Sequence, residues 1–373
     1  MNTHENTEKC ISLSVVIPVF QANDFLVETV SQIEKATHVP EEIILVDDGS
    51  TDGSAGVCDT LRNTYQNILV IHQENKGIAE ARNAGIDMAT GDYICFVDQD
   101  DLVEPTMYET ALKKAASSNA DLVMMSTGQI VQGQKLPYES LPDAVYPGDE
   151  VQSLLLPAFL FRGYVNPKRD PALAVSASIW KCVIRTDLLR QHQLRFRRFV
   201  SFEDDYLMVL SLLCYAKTVV TCSEIGYYWC IHNSSESHSG KHIDHYTEKT
   251  SLLVQYIRTT MQAANIADTL TQIFLDQFVF EKTLDAIANS YLTRDALSKE
   301  QKKQNVTEYL ERFSIFALVP EHIEPLPRFF RLRFLFHYYK KGNPDRLISG
   351  ICRFLQAEAK LQQMPLTAKL LRK

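Results

Sequence analysis

Three carboxylates stand within four residues at Asp98, Asp100 and Asp101. They follow an apolar, β-rich run from Tyr93 to Val97 behind a Gly-Asp turn, the pattern of a buried strand. No packed core holds three anions this close, because an unpaired buried charge costs several kcal/mol. They therefore face water or meet a cation. Asp98 and Asp100, one residue apart, suit a hard divalent ion such as Mg²⁺ or Mn²⁺, which takes one or two protein carboxylates together with substrate phosphates. A solvated acidic turn is the alternative, and spacing alone does not separate the two.

Other stretches could do related chemistry. Asp48, Ser50, Asp52, Gly53 and Asp59 fall at positions 1, 3, 5, 6 and 12 of a calcium loop. Position 12 should be Glu, however, and a strand rather than a helix precedes, so calcium is disfavoured. What remains is a plain loop, or one presenting Asp48 as acceptor to a nucleobase N–H. Gly77 opens a helix whose free N–H groups can face a phosphate, with Arg82 as a nearby cation. Taken alone, Arg82 reads as a surface helix residue. Glu203, Asp204 and Asp205 open an apolar helix, where negative charge is itself stabilising by about 0.3–1 kcal/mol. His238, His242 and His245 recur at helical spacing, but Gly240 weakens a helix there, so zinc is disfavoured.

The elements that must position these residues alternate. Strands are expected at 13–19, 42–46 and 68–71, and helices at 25–35 (with Asp24 as N-cap), 55–65 and 77–88. Strand followed by helix, three times before the strand ending at Asp98, predicts a parallel sheet with helices on its faces. Ligands bind such sheets outside the carboxyl ends of the strands, where Asp48 and Asp98 fall. The first strand lacks G-x-G-x-x-G, which disfavours a dinucleotide site. A helix over 105–116 and a strand over 122–125 follow, then a mostly irregular stretch over 128–171. Beyond residue 244 the strand signals vanish, and amphipathic patterns over 246–261, 266–291 and 301–313 predict helices.

The chain of 373 residues carries a net charge of −8. Residues 325–373 hold eleven Lys and Arg against two acids, a net of +9, which leaves −17 on the rest. Within that tail, Arg328 to Lys341 mixes aromatics with cations. Such a segment suits peripheral contact with an anionic membrane, or a buried helix with snorkelling Arg and Lys ends. The eight cysteines include no C-x-x-C pair and read as small core residues in a reducing compartment. With polar first residues and no long apolar run, the expectation is a cytoplasmic chain, peripheral at most on the inner face of the plasma membrane.

Four segments together resemble a known family. Ser14-Val15-Val16-Ile17-Pro18-Val19-Phe20, then Ile44-Leu45-Val46-Asp47-Asp48-Gly49-Ser50-Thr51-Asp52, then Gly77 through Gly85, then Phe96-Val97-Asp98-Gln99-Asp100-Asp101 are similar in order and spacing to the nucleotide-sugar half of the large inverting glycosyltransferase family with the GT-A fold. The resemblance implies an α/β doubly wound, mostly parallel sheet over residues 11–240, with 11–110 binding the donor and 111–240 the acceptor, and a helical region over 241–373. It implies donor-binding roles for Pro18, Phe20, Asp48, Gly77, Arg82, Asp98 and Gln99. It implies a divalent metal on Asp98 and Asp100, with His232 reaching the diphosphate or metal. Glu203-Asp204 is similar to the family's Glu-Asp signature, which makes Asp204 the expected general base, with Glu203 beside it and Asp205 an extra acid. Ser178 to Arg185 resembles the acceptor-side segment, where Trp180 is either a core anchor or an acceptor contact. Gln21 departs from the family's usual Asn.

The expected activity is thus metal-dependent transfer of a hexose or N-acetylhexosamine from a nucleoside-diphosphate sugar, UDP first, to a glycan or lipid-linked acceptor in bacterial surface polysaccharide synthesis, with no nucleic-acid partner. One rival is a non-catalytic nucleotide-binding or scaffold protein, which needs none of Asp98, Asp100 and Asp204. Another is a nucleotidyltransferase, which usually carries a basic Gly-rich loop where Pro18–Asn23 has no cation.

Overall fold

The computed structural model describes residues 11–22, 25–161, 175–201, 203–231, 242–292, 297–324 and 330–362. His232, His238 and the Asp24 N-cap lie outside them. By contacts the chain divides into two compact units, residues 1–198 with 202–235, and residues 199–201 with 236–373.

The first unit is built on one mixed sheet. Its leading half contains β1 (Leu13–Val19), β2 (Glu42–Asp48), β3 (Ile68–Gln73) and β4 (Tyr93–Phe96), with helices α1 (Leu26–Ile33), α2 (Ser54–Thr64) and α3 (Ile78–Met88) between them. Neighbours β3-β2-β1-β4 are all parallel, as the alternation predicts. All seven residues of β1 are buried, which is why it reads as a continuous apolar run. Pro18 is unusual inside a central strand, since it donates no ladder bond. It is tolerated because β4 leaves the ladder first: Val97 N donates to Val16 O, and no pairing with β4 extends beyond Val16. The same divergence opens the sheet edge where the acidic turn begins. Gly85 on α3 lets the helix lie against β1, since a Cβ there would sit 2.2 Å from Val16 Cγ1.

Beyond β4 the sheet turns mixed. It adds β5 (Leu102–Val103), the helix α4 (Met107–Ser118), β6 (Leu122–Val131), β7 (Gln134–Glu139), β8 (Ala144–Pro147), β9 (Cys182–Arg185), the helix α5 (Asp204–Tyr215) and β10 (Thr218–Cys230). β9 runs antiparallel between β4 and β6, and β6 pairs with β10 in parallel. β10 therefore ends on the same edge as β4. Residues 128–161, the described part of the stretch over 128–171, are more regular than expected. A tight turn at Gln132 (φ 52°) and Gly133 (φ 78°) folds β7 back on β6, without the Asn-Gly or Asp-Gly signal of such turns. Pro137 fits because β7 is an edge strand, paired to β6 alone.

The second unit is helical: α6 (Tyr246–Ala263), α7 (Asp268–Tyr291), α8 (Lys299–Arg312), α9 (Phe330–Tyr339) and α10 (Pro344–Gln362). Ser298 and Gln301 form a capping box that starts α8. Its core gathers Phe280, Ile287, Tyr309, Leu335, Phe336, Tyr339 and Ile351. The aromatics of α9 are thus engaged in packing: Phe336 and Tyr339 are buried, and Phe334 stacks on Phe354 at 4.6 Å. This corresponds to the buried-helix alternative for that segment. Among the described residues no helix is long and apolar enough to cross a membrane.

Candidate active site

At the carboxyl end of β4 the backbone turns sharply, and the acids separate by role. Asp101 is buried and accepts from Tyr227 Oη at 2.8 Å and Cys230 N at 2.7 Å, while Asp98 N donates to the same Tyr227 Oη at 3.1 Å. Asp101 therefore ties the turn to the end of β10. Burial, with the charges of Asp98 and Asp100 beside it, pushes its carboxyl well above the usual range. Asp98 and Asp100 remain half-buried. Sequence reasoning noted Asp101 but gave it no function; the signal was its place two residues before Val103, on the same face and likewise buried.

Gln99 clips the turn to β1. Its Oε1 accepts from Phe20 N at 2.8 Å, its Nε2 donates to Phe20 O at 2.9 Å, and its backbone carbonyl accepts from Thr29 Oγ1. The Phe20 ring stays 44% exposed at the strand end. Gln21 adopts a left-handed backbone (φ 53°) and exchanges hydrogen bonds with Thr51.

Asp48 is already satisfied. Its Oδ1 accepts from Gln73 Nε2 at 2.7 Å and Lys76 N at 2.9 Å, and its Oδ2 from Gly77 N at 2.7 Å. The carboxylate thus shapes the turn into α3, where Gly77 has φ 86°, a conformation that favours glycine. The calcium reading fails here. Asp48 is committed to that turn, Asp52 accepts from Ser54, and Asp59 pairs with Arg62.

Arg82 departs from the surface-helix reading. It is 2% exposed. Its Nη1 donates to Asp204 Oδ2 at 2.9 Å and Asp205 Oδ1 at 2.6 Å, and its Nη2 donates to Asp98 Oδ1 at 2.9 Å. The guanidinium lies 5.2 Å from the centre of the Phe196 ring, which meets Phe96 edge-on. Burial opposes the charge of Arg82, but Asp205, Asp98 and Asp204 outweigh it and raise the pKa further.

Asp204 and Asp205 open α5, and Glu203 occupies the N-cap position without a capping side-chain hydrogen bond. Asp204 is buried, with its Oδ1 3.5 Å from Arg198 Nε. Asp205 Oδ2 accepts from Ile179 N at 3.2 Å. Burial pushes the Asp205 carboxyl up to about 6, with Arg82 pulling against Asp204 and Asp98. Trp180 is 7% exposed and stacks on Tyr227 at 4.4 Å, the core-anchor alternative.

Among the described residues no three His, Cys, Asp or Glu side chains converge to hold a metal ion. The donor set nevertheless fits a divalent cation carried in with a diphosphate, which needs one or two hard carboxylates and not a closed cage. Asp98 and Asp100 supply them from one turn.

Residues 14–154 match the model described as glycosyl transferase family 2. The match takes in 141 of the 373 residues. The matched stretch covers β1, the Asp48 turn, Arg82 and the Asp98–Asp101 turn, and ends before Asp204. Glycosyltransferase GlyG of Streptococcus pneumoniae is 46% identical over 113 residues, 30% of this chain and 38% of that protein. Poly(ribitol-phosphate) beta-glucosyltransferase of Bacillus spizizenii is 23% identical over 343 residues, 87% of this chain and 48% of that protein. The chain thus spans less than half the length of either relative. Residues 1–349 of S. aureus TarS, in a crystal structure with UDP-GlcNAc, superpose with a TM-score of 0.65 at 19% identity, covering 93% of this chain and 92% of that one. The chain therefore has a GT-A-type fold, followed by a helical region.

Proposed function

We propose that the chain is an inverting glycosyltransferase that moves a sugar from a UDP-linked donor to an acceptor hydroxyl in the synthesis of a bacterial glycan. The observation that carries this reading is the single guanidinium of Arg82, which joins Asp98 on the donor turn to Asp204 and Asp205 on α5. A scaffold needs no such junction. Support for the donor comes from TarS, whose complexes contain UDP and UDP-GlcNAc. Support for the acceptor class comes from the relative named for poly(ribitol-phosphate).

In this reading the nucleotide lies over the strand ends, against the exposed Phe20 ring and the turn that Asp48 and Gly77 shape. Asp98 and Asp100 would hold a divalent cation, which when bound offsets the charge of the diphosphate. Arg82 fixes Oδ2 of Asp204, while Oδ1 lies 3.5 Å from Arg198 Nε. Asp204 takes the acceptor proton through that oxygen as the hydroxyl attacks the anomeric carbon. The bond to the diphosphate breaks on the opposite face, so the anomeric centre inverts and UDP leaves. Contact with an anionic membrane, if made by α9, rests on its cations, since Phe334, Phe336 and Tyr339 pack in the helical core. The test is a panel of UDP-, GDP- and dTDP-sugars scored for Mn²⁺-dependent thermal stabilisation and for release of the nucleotide. Stabilisation by UDP-sugars alone is the expected result, and a flat response to the whole panel contradicts it.

A further inference from the structure

The acid cluster can bind charge and move a proton, but it has no means of selecting an acceptor sugar. Trp229 and Tyr138 lie beside it and have not been given a role. On β10, Trp229 stands between Tyr227 and Cys230, both of which hydrogen-bond Asp101. β10 pairs antiparallel with β5, Tyr228 opposite Leu102; Trp229 follows Tyr228 in β10, and Asp101 immediately precedes β5. The indole is half-buried, one side packed on the core of the sheet. Tyr138, on the edge strand β7, meets it edge-on, ring centres 6.2 Å apart at 67°. Tyr138 is 45% exposed.

Isolated exposed apolar residues are ordinary. A Trp–Tyr pair at the mouth of a polar turn differs, because both rings combine a large apolar face with a polar edge that tolerates water. A pyranose has the complementary surface: its hydroxyls project around the rim, while its axial C–H groups form an apolar face that is drawn to the negative face of an aromatic ring. The pair is also held firmly. Glu139, next to Tyr138, is buried and receives both Lys181 Nζ (2.7 and 2.8 Å) and the Ser176 hydroxyl, so the Tyr138 backbone is anchored from below. We propose that Trp229 and Tyr138 form a stacking platform for a pyranose unit of the acceptor, placing its hydroxyl toward the acids. This rests on the transferase reading above.

The chain has two tryptophans, and Trp180 is buried on Tyr227, so Trp180→Phe leaves Trp229 as the sole indole reporter. Its emission is titrated with methyl glycosides of the common hexoses and N-acetylhexosamines, with UDP and Mn²⁺ present. A saturable blue shift with at least one glycoside is expected. With that glycoside as acceptor, Tyr138→Ala and Trp229→Ala each raise its KM about tenfold, the worth of one aromatic contact, and Trp229→Phe recovers most of the loss. The UDP dissociation constant stays within error in all three. Tyr138 is exposed enough that its truncation leaves the fold alone. No shift with any glycoside, or an unchanged KM in both alanine variants, overturns the platform. A parent chain that neither binds UDP nor consumes any UDP-sugar overturns the transferase reading itself, and the platform with it.

Discussion

Arg82 and Asp204 are 122 positions apart in the chain and 2.9 Å apart in space. The contact joins α3, within the stretch that matches the family model, to the first turn of α5, beyond it. With Asp98 and Asp205 on the same guanidinium, one buried cation faces three carboxylates, leaving the cluster with excess negative charge.

Loss of Arg82 should therefore be costly. Removing one partner of a buried ion pair leaves charge without compensation, typically at about 3–5 kcal/mol. Arg82→Met should lower the urea midpoint accordingly. Adding Asp205→Asn to it should recover part of the loss, because one of the stranded anions is gone. Equal stability of Arg82→Met and wild type would contradict the burial argument.

Asp205 gives the cluster a pH signature. Its carboxyl sits at about 6, above the ordinary value of about 4. Between those two values the folded chain holds a proton that the unfolded chain has released, so this group's contribution to stability falls as pH rises through the window. Asp205→Asn removes that dependence. Its stability relative to wild type should climb between roughly pH 4 and pH 7, measured by urea denaturation of both proteins in parallel. A constant difference across the range contradicts the raised value.

The β1–β4 half was legible because each of its strands is a short apolar run ended by turn residues, with the acids at the strand ends. Pattern alone carries that much. It could not show that Asp48 bonds the Lys76–Gly77 backbone, or that Arg82 points inward to acids more than a hundred residues away. Those are consequences of tertiary closure, which leaves no local trace. The β6–β7 hairpin was missed because Gln132-Gly133 is a weak turn signal and Pro137 reads as a strand breaker until the strand is known to be an edge. The basic aromatic segment was ambiguous because packing and membrane contact draw on the same residues. In α9, Leu335, Phe336 and Tyr339 turn into the helical core.

The Lys181–Glu139 pair is fully buried on the lysine side, and the ammonium donates to both carboxylate oxygens of Glu139 and to Ser176 Oγ. Lys181→Met should destabilise by about 3–5 kcal/mol, whereas the double variant Lys181→Met/Glu139→Gln should regain most of it, since no buried charge remains. Thermal unfolding of the four proteins forms the cycle. A double variant as unstable as the single one would show that packing dominates and the charges do not.

On the donor side, Asp100→Asn should leave the protein folded and abolish the extra stabilisation that Mn²⁺ gives in the presence of UDP. Retained Mn²⁺-dependent stabilisation in that variant would remove Asp100 from the metal site.

The central claim is that Asp204 takes the acceptor proton, and Asp204→Asn addresses it most directly. Asparagine keeps the size of the side chain and can still start a helix, so any stability change is read separately by urea denaturation. The measurement is the transfer rate alongside UDP–Mn²⁺ affinity in the same preparation. The account predicts unchanged nucleotide affinity with transfer reduced by about 10²–10⁴-fold, the usual contribution of a positioned base. Transfer near the wild-type rate in Asp204→Asn, with Glu203→Gln inactive, would contradict it and move the base to the neighbouring acid.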